Sequence, residues 1–498
     1  MDCQRSCGTA LSLLRNILLC LPLCLATAAL APAEAREADM LAEDTMDSQA
    51  LPDFTTLWNF SDPAGTRAQF EELLPAAEGG ADSLYLIELL TQIARTHGLE
   101  KDFDNAHLTL NRAQELLQAG DEAALRRGWM RYWLERGRAF NSAGSPQVAR
   151  PLFLEAWLAG QDGGNDSLTI DAAHMLGIVT QGDESLEWNE KALALAASSS
   201  DPKAAQWAGS LYNNIGWTYM DNHQPQLALE KFEAGAQFRD ANNHPEEPRM
   251  IAHWSVARAL RELGRNPEAL TKLQYVADKF PGHSADCFWH EEMGENTLAT
   301  AGLEAARPHF ENALPLLKEQ AWVAESYPGR IERIETMLAT GLPLLEIGSR
   351  ALQFSLPNQD GREVSLAEAL EGGPVVLAFY PKDHTGGCTL ELAEYNRREG
   401  EFAAFNARVF GISGDSTESH EEFCAAQGYR LDLLADTDNA VRGAYGAATA
   451  DGRIGRVSYV VSSDGYIRGF CASSSEMEAH AAAALEILGR MSGDTAGE

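Results

Sequence analysis

The sequence predicts a chain in two parts, an all-helical repeat array followed by an α/β domain built on a mixed sheet. Three observations predict it. From about Asp82 to Gly341, Ala, Leu, Glu and Arg recur with the 3.6-residue period of amphipathic helices, broken briefly at Gly, Pro and Asn. Within that span a small residue and an alanine recur twelve positions apart. After Pro343, short β-branched runs alternate with helical stretches, a pattern that places helices on both faces of a sheet. At 498 residues the chain also exceeds what one core supports, so at least two domains are expected.

The N-terminus carries Arg5 and Arg15, the apolar run Ile17 to Ala31 containing Pro22, and the small-residue patterns Ala29-Leu30-Ala31 and Ala33-Glu34-Ala35. An apolar run of about fifteen residues is short for a membrane span of roughly twenty and suits a cleaved signal peptide. Residues 1–35 are read as that leader, and the protein as exported, periplasmic or secreted. Leu21-Pro22-Leu23-Cys24 resembles a lipoprotein box but has Leu23 where a small residue belongs, so membrane attachment is expected only if the leader is retained or lipidated. A formal charge of −34 argues against nucleic acid and anionic membrane surfaces as partners and is read as a solubility feature. Residues 36–81 read as an irregular helical start.

Of eight cysteines, Cys3, Cys7, Cys20 and Cys24 lie in the leader, leaving Cys287, Cys388, Cys424 and Cys471. Four in so long a chain make no disulfide scaffold and lack the paired spacing of a zinc site. His290-Glu291-Glu292 has no second histidine of a zinc protease motif, and Asp436-x-Asp438-Asn439 lacks the glycine and final glutamate of a calcium loop. No metal or cofactor is expected. There is no Cys-x-x-Cys after the leader, which argues against a disulfide exchanger.

In the helical part the paired positions are Ala94 and Ala106, Gly137 and Ala149, Gly216 and Ala228, Ala257 and Ala269, Gly294 and Ala306. Small residues there let the two helices of a hairpin approach closely, and Phe153, Phe232 and Phe310 are expected to fill the space between hairpins. The fullest copy is Tyr212-x-x-Ile215-Gly216-x-x-Tyr219 with Ala228 and Phe232, and the next copy ends on Pro281. This resembles the tetratricopeptide repeat, with five copies over residues 82–342 and a degraded sixth around Met175 to Ala196. Ala228, Ala269 and Ala306 lie 41 and 37 residues apart, against a family period of about 34, so longer loops and an irregular superhelix are expected. Such a stack leaves a concave face that takes a protein or peptide partner; the plainer alternative is a spacer.

Residues 343–490 read as the α/β domain and 491–498 as a disordered tail. The domain opens with Phe354-Ser355-Leu356-Pro357, a turn at Asn358 to Gly361, and Val364-Ser365-Leu366, a hairpin leading into a short helix. Strand Val375–Tyr380 and a helix from about Thr389 to Phe405 follow. Next come strand Arg408–Ser413, helix Thr417–Gln427, strand Leu431–Ala435 and helix Asp438–Tyr445. Strands Val457–Val461 and Tyr466–Phe470 and helix Ser475–Leu488 complete it. Between the first strand and its helix stands Tyr380-Pro381-Lys382-Asp383-His384-Thr385-Gly386-Gly387-Cys388-Thr389-Leu390-Glu391. A cysteine in the first turn of a helix meets unpaired backbone N–H groups and the positive end of the helix dipole, which favour thiolate over thiol. Its sequence neighbours, Thr and two Gly with Glu391 three residues on, are not those of a buried structural cysteine.

Pro381-x-x-x-Thr385-x-x-Cys388 resembles the peroxiredoxins, most closely the peroxiredoxin Q or bacterioferritin comigratory protein branch, over about Ile347 to Leu488. The resemblance implies a thioredoxin-like fold, with Cys388 as the nucleophile toward a peroxide. Thr385 would give a hydroxyl to thiolate and peroxide, and Pro381 would shield the site. Arg456, in Arg456-Val457-Ser458-Tyr459-Val460-Val461, would set a guanidinium beside the sulfur, with Arg453 as a stand-in and Glu391 as its orienter. Gly386 replaces the family's proline, so a looser loop is expected. The position five after the nucleophile, where many relatives carry a resolving cysteine, is Ala393. Cys424 is then the resolving thiol by topology, Cys471 the next choice, and Cys287 a core residue. The expected function is reduction of hydrogen peroxide or organic hydroperoxides with a thioredoxin-like reductant. The alternative is a non-enzymatic adaptor with a redox-sensing or inert domain.

Overall fold

The computed structural model describes residues 51–163, 165–282, 286–449 and 451–493. The leader over 1–35, the export it implies and the tail beyond 493 lie outside the described residues. The described chain forms two compact units, one ending at Ser255 and one beginning at Val256.

The first unit is a series of helical hairpins. Ser83–Leu99 pairs with Phe103–Ala119, Arg126–Ser142 with Pro146–Gln161, Asp166–Val179 with Gly182–Ser198, and Ala208–Asp221 with Pro225–Ala241. The stretch before Asp82 holds the helix Pro63–Gly79, whose Phe70 is fully buried. The twelve-residue spacing has a steric cause. A Cβ at Gly137 would lie 2.4 Å from the Phe153 ring, and one at Gly216 would lie 2.3 Å from Phe232, so each ring occupies the space a side chain would need. Those rings were expected between hairpins. Phe153 does reach Ala172, Met175 and Leu176 of the next hairpin, but its closest packing is on the glycine of its own. The copy read as degraded is a complete hairpin in which Asn189 takes the alanine position opposite Gly177 and donates its amide to the Ser185 carbonyl at 2.9 Å.

The second unit contains the last hairpins, including Cys287–Ala301 with Leu303–Glu319 and then Pro328–Thr340, together with the whole α/β domain. Gly341 closes the last helix in the left-handed conformation, φ 76°, where glycine is favoured. The domain opens with an antiparallel hairpin of β1 (Ser355–Pro357) and β2 (Glu363–Ser365). The main sheet has β3 (Val375–Phe379), β4 (Arg408–Ser413), β5 (Asp432–Ala435), β6 (Val457–Val461) and β7 (Ile467–Ala472) in the order β5-β4-β3-β6-β7. β3 is parallel to β4, as β4 is to β5, while β6 runs antiparallel to both β3 and β7. This is the thioredoxin-like arrangement. All five residues of β3 are buried, as a strand covered on both faces requires.

Alternation along the strands divides the core. Val375, Leu377 and Phe379 share one cluster with Tyr459, Phe310, Ile334 and Met337, so the last helical hairpins share a core with that sheet face. Val376 and Ala378 face Tyr395, Phe402 and the Ala479–Gly493 helix on the other. Several expected bounds shift. The helix expected from Thr389 to Phe405 starts at Gly386 and breaks at Arg398 into Gly386–Arg397 and Glu399–Ala404. The helix expected from Asp438 contracts to Ala440–Ala444 because Asn439 sits at φ 60° and Asp436 takes the Val441 and Arg442 N–H groups. The last helix begins at Ala479 and runs to Gly493, past the expected start of the tail. Among the described residues no helix is long and apolar enough to cross a membrane.

Candidate active site

β3 delivers the chain to Tyr380, and the loop 381–385 carries it to the helix on the site face of the sheet. Thr385 is the N-cap residue, so Cys388 is third in the first turn, where backbone N–H groups lack intrahelical partners. The sulfur is buried, 1% exposed, among Tyr380, Leu392, Phe423, Cys424, Tyr429 and Leu433. Its sequence neighbours are small and polar, yet its neighbours in space are largely apolar, which sequence adjacency could not reveal.

One polar group reaches the sulfur from across the sheet. Arg456, entering β6, donates from Nη2 to Cys388 Sγ at 3.5 Å. Its Nη1 is paired with Glu391 Oε2, and both side chains are buried. Burial drives the Glu391 carboxyl up to about 7, and Arg456 offsets only part of that rise. Glu391 Oε1 has no hydrogen-bond partner and lies 3.6 Å from His480 Nδ1. His480 Nε2 sits 3.0 Å from the Ser473 carbonyl, which can only accept, so Nε2 carries the proton and Nδ1 a lone pair. That lone pair accepts from Ser458 Oγ at 2.9 Å, and Ser458 accepts from Tyr395 OH at 2.8 Å. Burial above all pushes the imidazole down to about 4, and the Arg456 charge adds to it, so His480 is neutral. The guanidinium is therefore held through a carboxylate gripped by one oxygen, leaving Nη2 for sulfur.

A second polar cluster joins the loop to the next helix. Asp383, buried, accepts from Tyr380 OH at 2.7 Å, Ser419 Oγ at 2.7 Å and His420 Nδ1 at 2.8 Å. Burial alone would raise this carboxyl, but the bonds from His420, Tyr380 and Ser419 hold it below its ordinary range. The Asp383 N–H donates to Asp415, and Arg442 donates to the Tyr380 carbonyl at 3.1 Å.

The predicted residues are thus placed as follows. Cys388, Glu391 and Arg456 come together. Thr385 is exposed, with its hydroxyl donated to the Lys382 carbonyl at 3.0 Å, and Pro381 is half-buried at the loop entrance. Arg453 is exposed and paired with Asp451 at 3.0 Å, so it is no stand-in. Cys424 lies in the same buried cluster as Cys388, its thiol pushed up to about 11 by burial and then by Asp383. Cys471 is on β7 opposite Ser458, its thiol pushed up to about 12 by burial. Cys287 is buried in the core, and all four described cysteines are free thiols. Sequence reading missed His480, Ser458, Asp383, His420 and Met477. A Cβ on Gly387 would lie 2.8 Å from Met477 Cε and 3.3 Å from Arg456 Nη2, so the methionine lies against the first turn beside the guanidinium. A lone polar side chain among alanines in Ala479-His480-Ala481 was the available signal for one of them.

A buried thiol in the first turn of a helix, on a thioredoxin-like sheet and facing a fixed guanidinium, defines a cysteine-based redox domain. The AhpC/TSA family matches residues 347–470. The putative peroxiredoxin bcp of Helicobacter pylori (strain J99) is 37% identical over 151 residues, 29% of this chain and 98% of that protein. Peroxiredoxin Q, chloroplastic, of Oryza sativa subsp. japonica is 38% identical over 143 residues, 28% of this chain; the chain spans only 65% of that relative's length. The solved structure of peroxidoxin BcpB from Mycobacterium tuberculosis matches 29% of this chain and 97% of its own at 31% identity, with a TM-score of 0.29. The chain belongs to the AhpC/TSA family.

Proposed function

We propose that this protein reduces hydrogen peroxide or organic hydroperoxides at Cys388, that Cys424 resolves the product, and that a thioredoxin-like protein re-reduces it. The observation that carries the reading is the 3.5 Å approach of Arg456 Nη2 to Cys388 Sγ with Glu391 behind it. The thiolate attacks one peroxide oxygen, the O–O bond breaks, and the other oxygen leaves with negative charge. A fixed guanidinium and helix-terminal N–H groups meet that charge without reorganising. Thr385 would engage the peroxide by turning its hydroxyl from Lys382, a rotation its exposed position permits. The sulfenic acid left on Cys388 is next to be captured by Cys424, which shares its buried cluster. A disulfide needs Cα atoms within about 7 Å, so a first helical turn unwinds as the bond forms. In the same reading the leader exports the chain, and the helical hairpins, tetratricopeptide-like in their spacing, dock a protein or peptide.

Peroxide consumption by the mature protein with a thiol reductant tests it. Cys388→Ser should be inactive and folded, and Arg456→Ala should lose on the order of a hundredfold. Turnover retained by Cys388→Ser refutes the reading.

A further inference from the structure

We propose that His420, oriented by Asp383, is the acid–base group of the second step: it takes the Cys424 thiol proton as that sulfur attacks the Cys388 sulfenic acid, and returns it to the departing hydroxide. This rests on Cys424 being the resolving thiol. Four observations point to it. First, Asp383 Oδ2 lies 2.8 Å from His420 Nδ1 and is ionised by its three donors, so the ring proton is fixed at Nδ1 and the lone pair falls on Nε2. Second, His420 is fully buried and its Nε2 has no hydrogen-bond partner, a position that stability alone does not explain. Third, Cys424 stands one turn later on the same helix, Thr417–Gln427, and residues four apart on a helix have Cβ atoms about 5–6 Å apart, within a side-chain rotation of contact. Fourth, the Cys424 thiol, pushed up to about 11, does not ionise unaided near neutrality, so its attack needs a base.

The carboxylate–imidazole–thiol order is that of an activated nucleophile, applied here to the resolving sulfur. The step balances without an external reagent. The Cys424 S–H and Cys388 S–O bonds break, an S–S bond and one O–H bond form, and water leaves. Cys388 sulfur is reduced from the sulfenic level as Cys424 is oxidised. The titratable groups that touch the imidazole are Tyr380 and Asp383 from the loop; behind them Asp415 accepts from the Asp383 N–H and Arg442 donates to the Tyr380 carbonyl, while Asp383, Asp432 and Asp360 act on Cys424 of the same helix.

The test uses the full mature chain, one equivalent of hydrogen peroxide, rapid quenching into a thiol-alkylating agent and peptide mass spectrometry. This reads sulfenic acid formation and Cys388–Cys424 disulfide formation separately. In His420→Gln the second rate should fall about a hundredfold relative to the first at pH 7, the size of a lost general base. Its pH profile should also steepen relative to wild type: the variant climbs about tenfold per pH unit because only free thiolate reacts. Asp383→Asn should shift the profile the same way and carries the test if His420→Gln does not fold. A wild-type rate ratio and profile in both variants overturns the inference while leaving the Cys424 reading intact. Wild-type protein that forms no Cys388–Cys424 disulfide overturns that reading, and the inference with it.

Discussion

Glu391→Gln isolates what burial of one carboxyl costs. Glu391 is fully buried and its midpoint stands at about 7 in the folded protein against an ordinary 4.5. A group that holds its proton more tightly when folded favours the folded state at low pH, and that advantage is lost as pH rises from the unfolded to the folded midpoint. The native state should therefore lose roughly 3 kcal/mol between about pH 4.5 and 7.5 on account of this side chain. His480 acts in the opposite sense: its lowered midpoint, about 4, makes stability rise from there up to the ordinary histidine range. The difference between two chains cancels His480 and every other shared titration. The amide that replaces the carboxyl keeps an oxygen for Arg456 but does not titrate.

The assay is native-state hydrogen exchange on peptides covering β3 and β6, adjacent strands of which β3 leads to the Cys388 loop and β6 follows Arg456, at pH values from 4.5 to 8 with intrinsic rates corrected. The wild-type opening free energy should fall relative to the variant by about 3 kcal/mol across that window and run parallel to it above pH 8. Parallel curves throughout would refute the reasoning, since they would mean that Glu391 does not carry a raised midpoint.

Three further substitutions read the site sterically. Gly387→Ala puts a methyl 2.8 Å from Met477 Cε and 3.3 Å from Arg456 Nη2; sulfenic acid formation, followed by stopped flow, should slow by roughly ten- to a hundredfold as the guanidinium moves. Gly386→Pro should be accepted: nothing lies within 4 Å of a Cβ there, the position opens the helix, and Thr385 already has the extended backbone that a following proline demands, φ −94° and ψ 144°. Denaturant unfolding should show a gain of about 0.4–1 kcal/mol. Gly455→Ala should destabilise the second unit by roughly 1–3 kcal/mol in the same measurement, because its methyl would lie 2.5 Å from Leu342 Cδ1.

What the sequence made legible follows from the range of the forces involved. Arg408–Ser413, Thr417–Gln427 and Val457–Val461 have the bounds their local patterns predict, because each is an uninterrupted run ended by its own turn or cap residues. Ser416 caps one helix start and Gly428, at φ 70°, ends it. The last helix starts four residues later than its pattern predicts because the polar stretch before it reads as helical start, whereas the Ser473 hydroxyl takes the Ser475 and Glu476 N–H groups into a turn. Cys388, Glu391 and Arg456 were legible because a local motif carries them. His480, Ser458, Asp383 and His420 were not, since each acquires its meaning only when a helix and a strand distant in sequence, or a loop and the next helix, are brought together; Tyr395 and Ser458, for instance, are 63 apart.

Ion pairs and hydrogen bonds tie the last hairpins to the redox domain. Arg333 is buried, paired with Glu295 at 2.6 Å, and donates from Nε to the Leu344 carbonyl at 2.8 Å. Arg261 bridges Glu292 at 2.6 Å and Glu346 at 2.8 Å. Burial would raise the Glu346 carboxyl, but Arg261, Arg258 and Arg333 together hold it well below its ordinary range. Removing one partner of the buried Arg333–Glu295 pair leaves a buried charge uncompensated, at a cost of about 3–5 kcal/mol, so these contacts fix the register of residues 342–346. That segment is in turn wedged into the domain. The Leu345 N–H donates to Tyr459 OH, the Pro343 carbonyl occupies the space where a Cβ on Gly446 would sit, and Leu342 fills the space beside Gly455. Gly455 immediately precedes Arg456. The guanidinium that faces Cys388 is thus positioned from one side by Glu391 and from the other by a strand entry seated on the end of the helical array. The contacts between the final hairpins and the surroundings of the thiol thus run through residues 342–346 and the strand entry that carries Arg456.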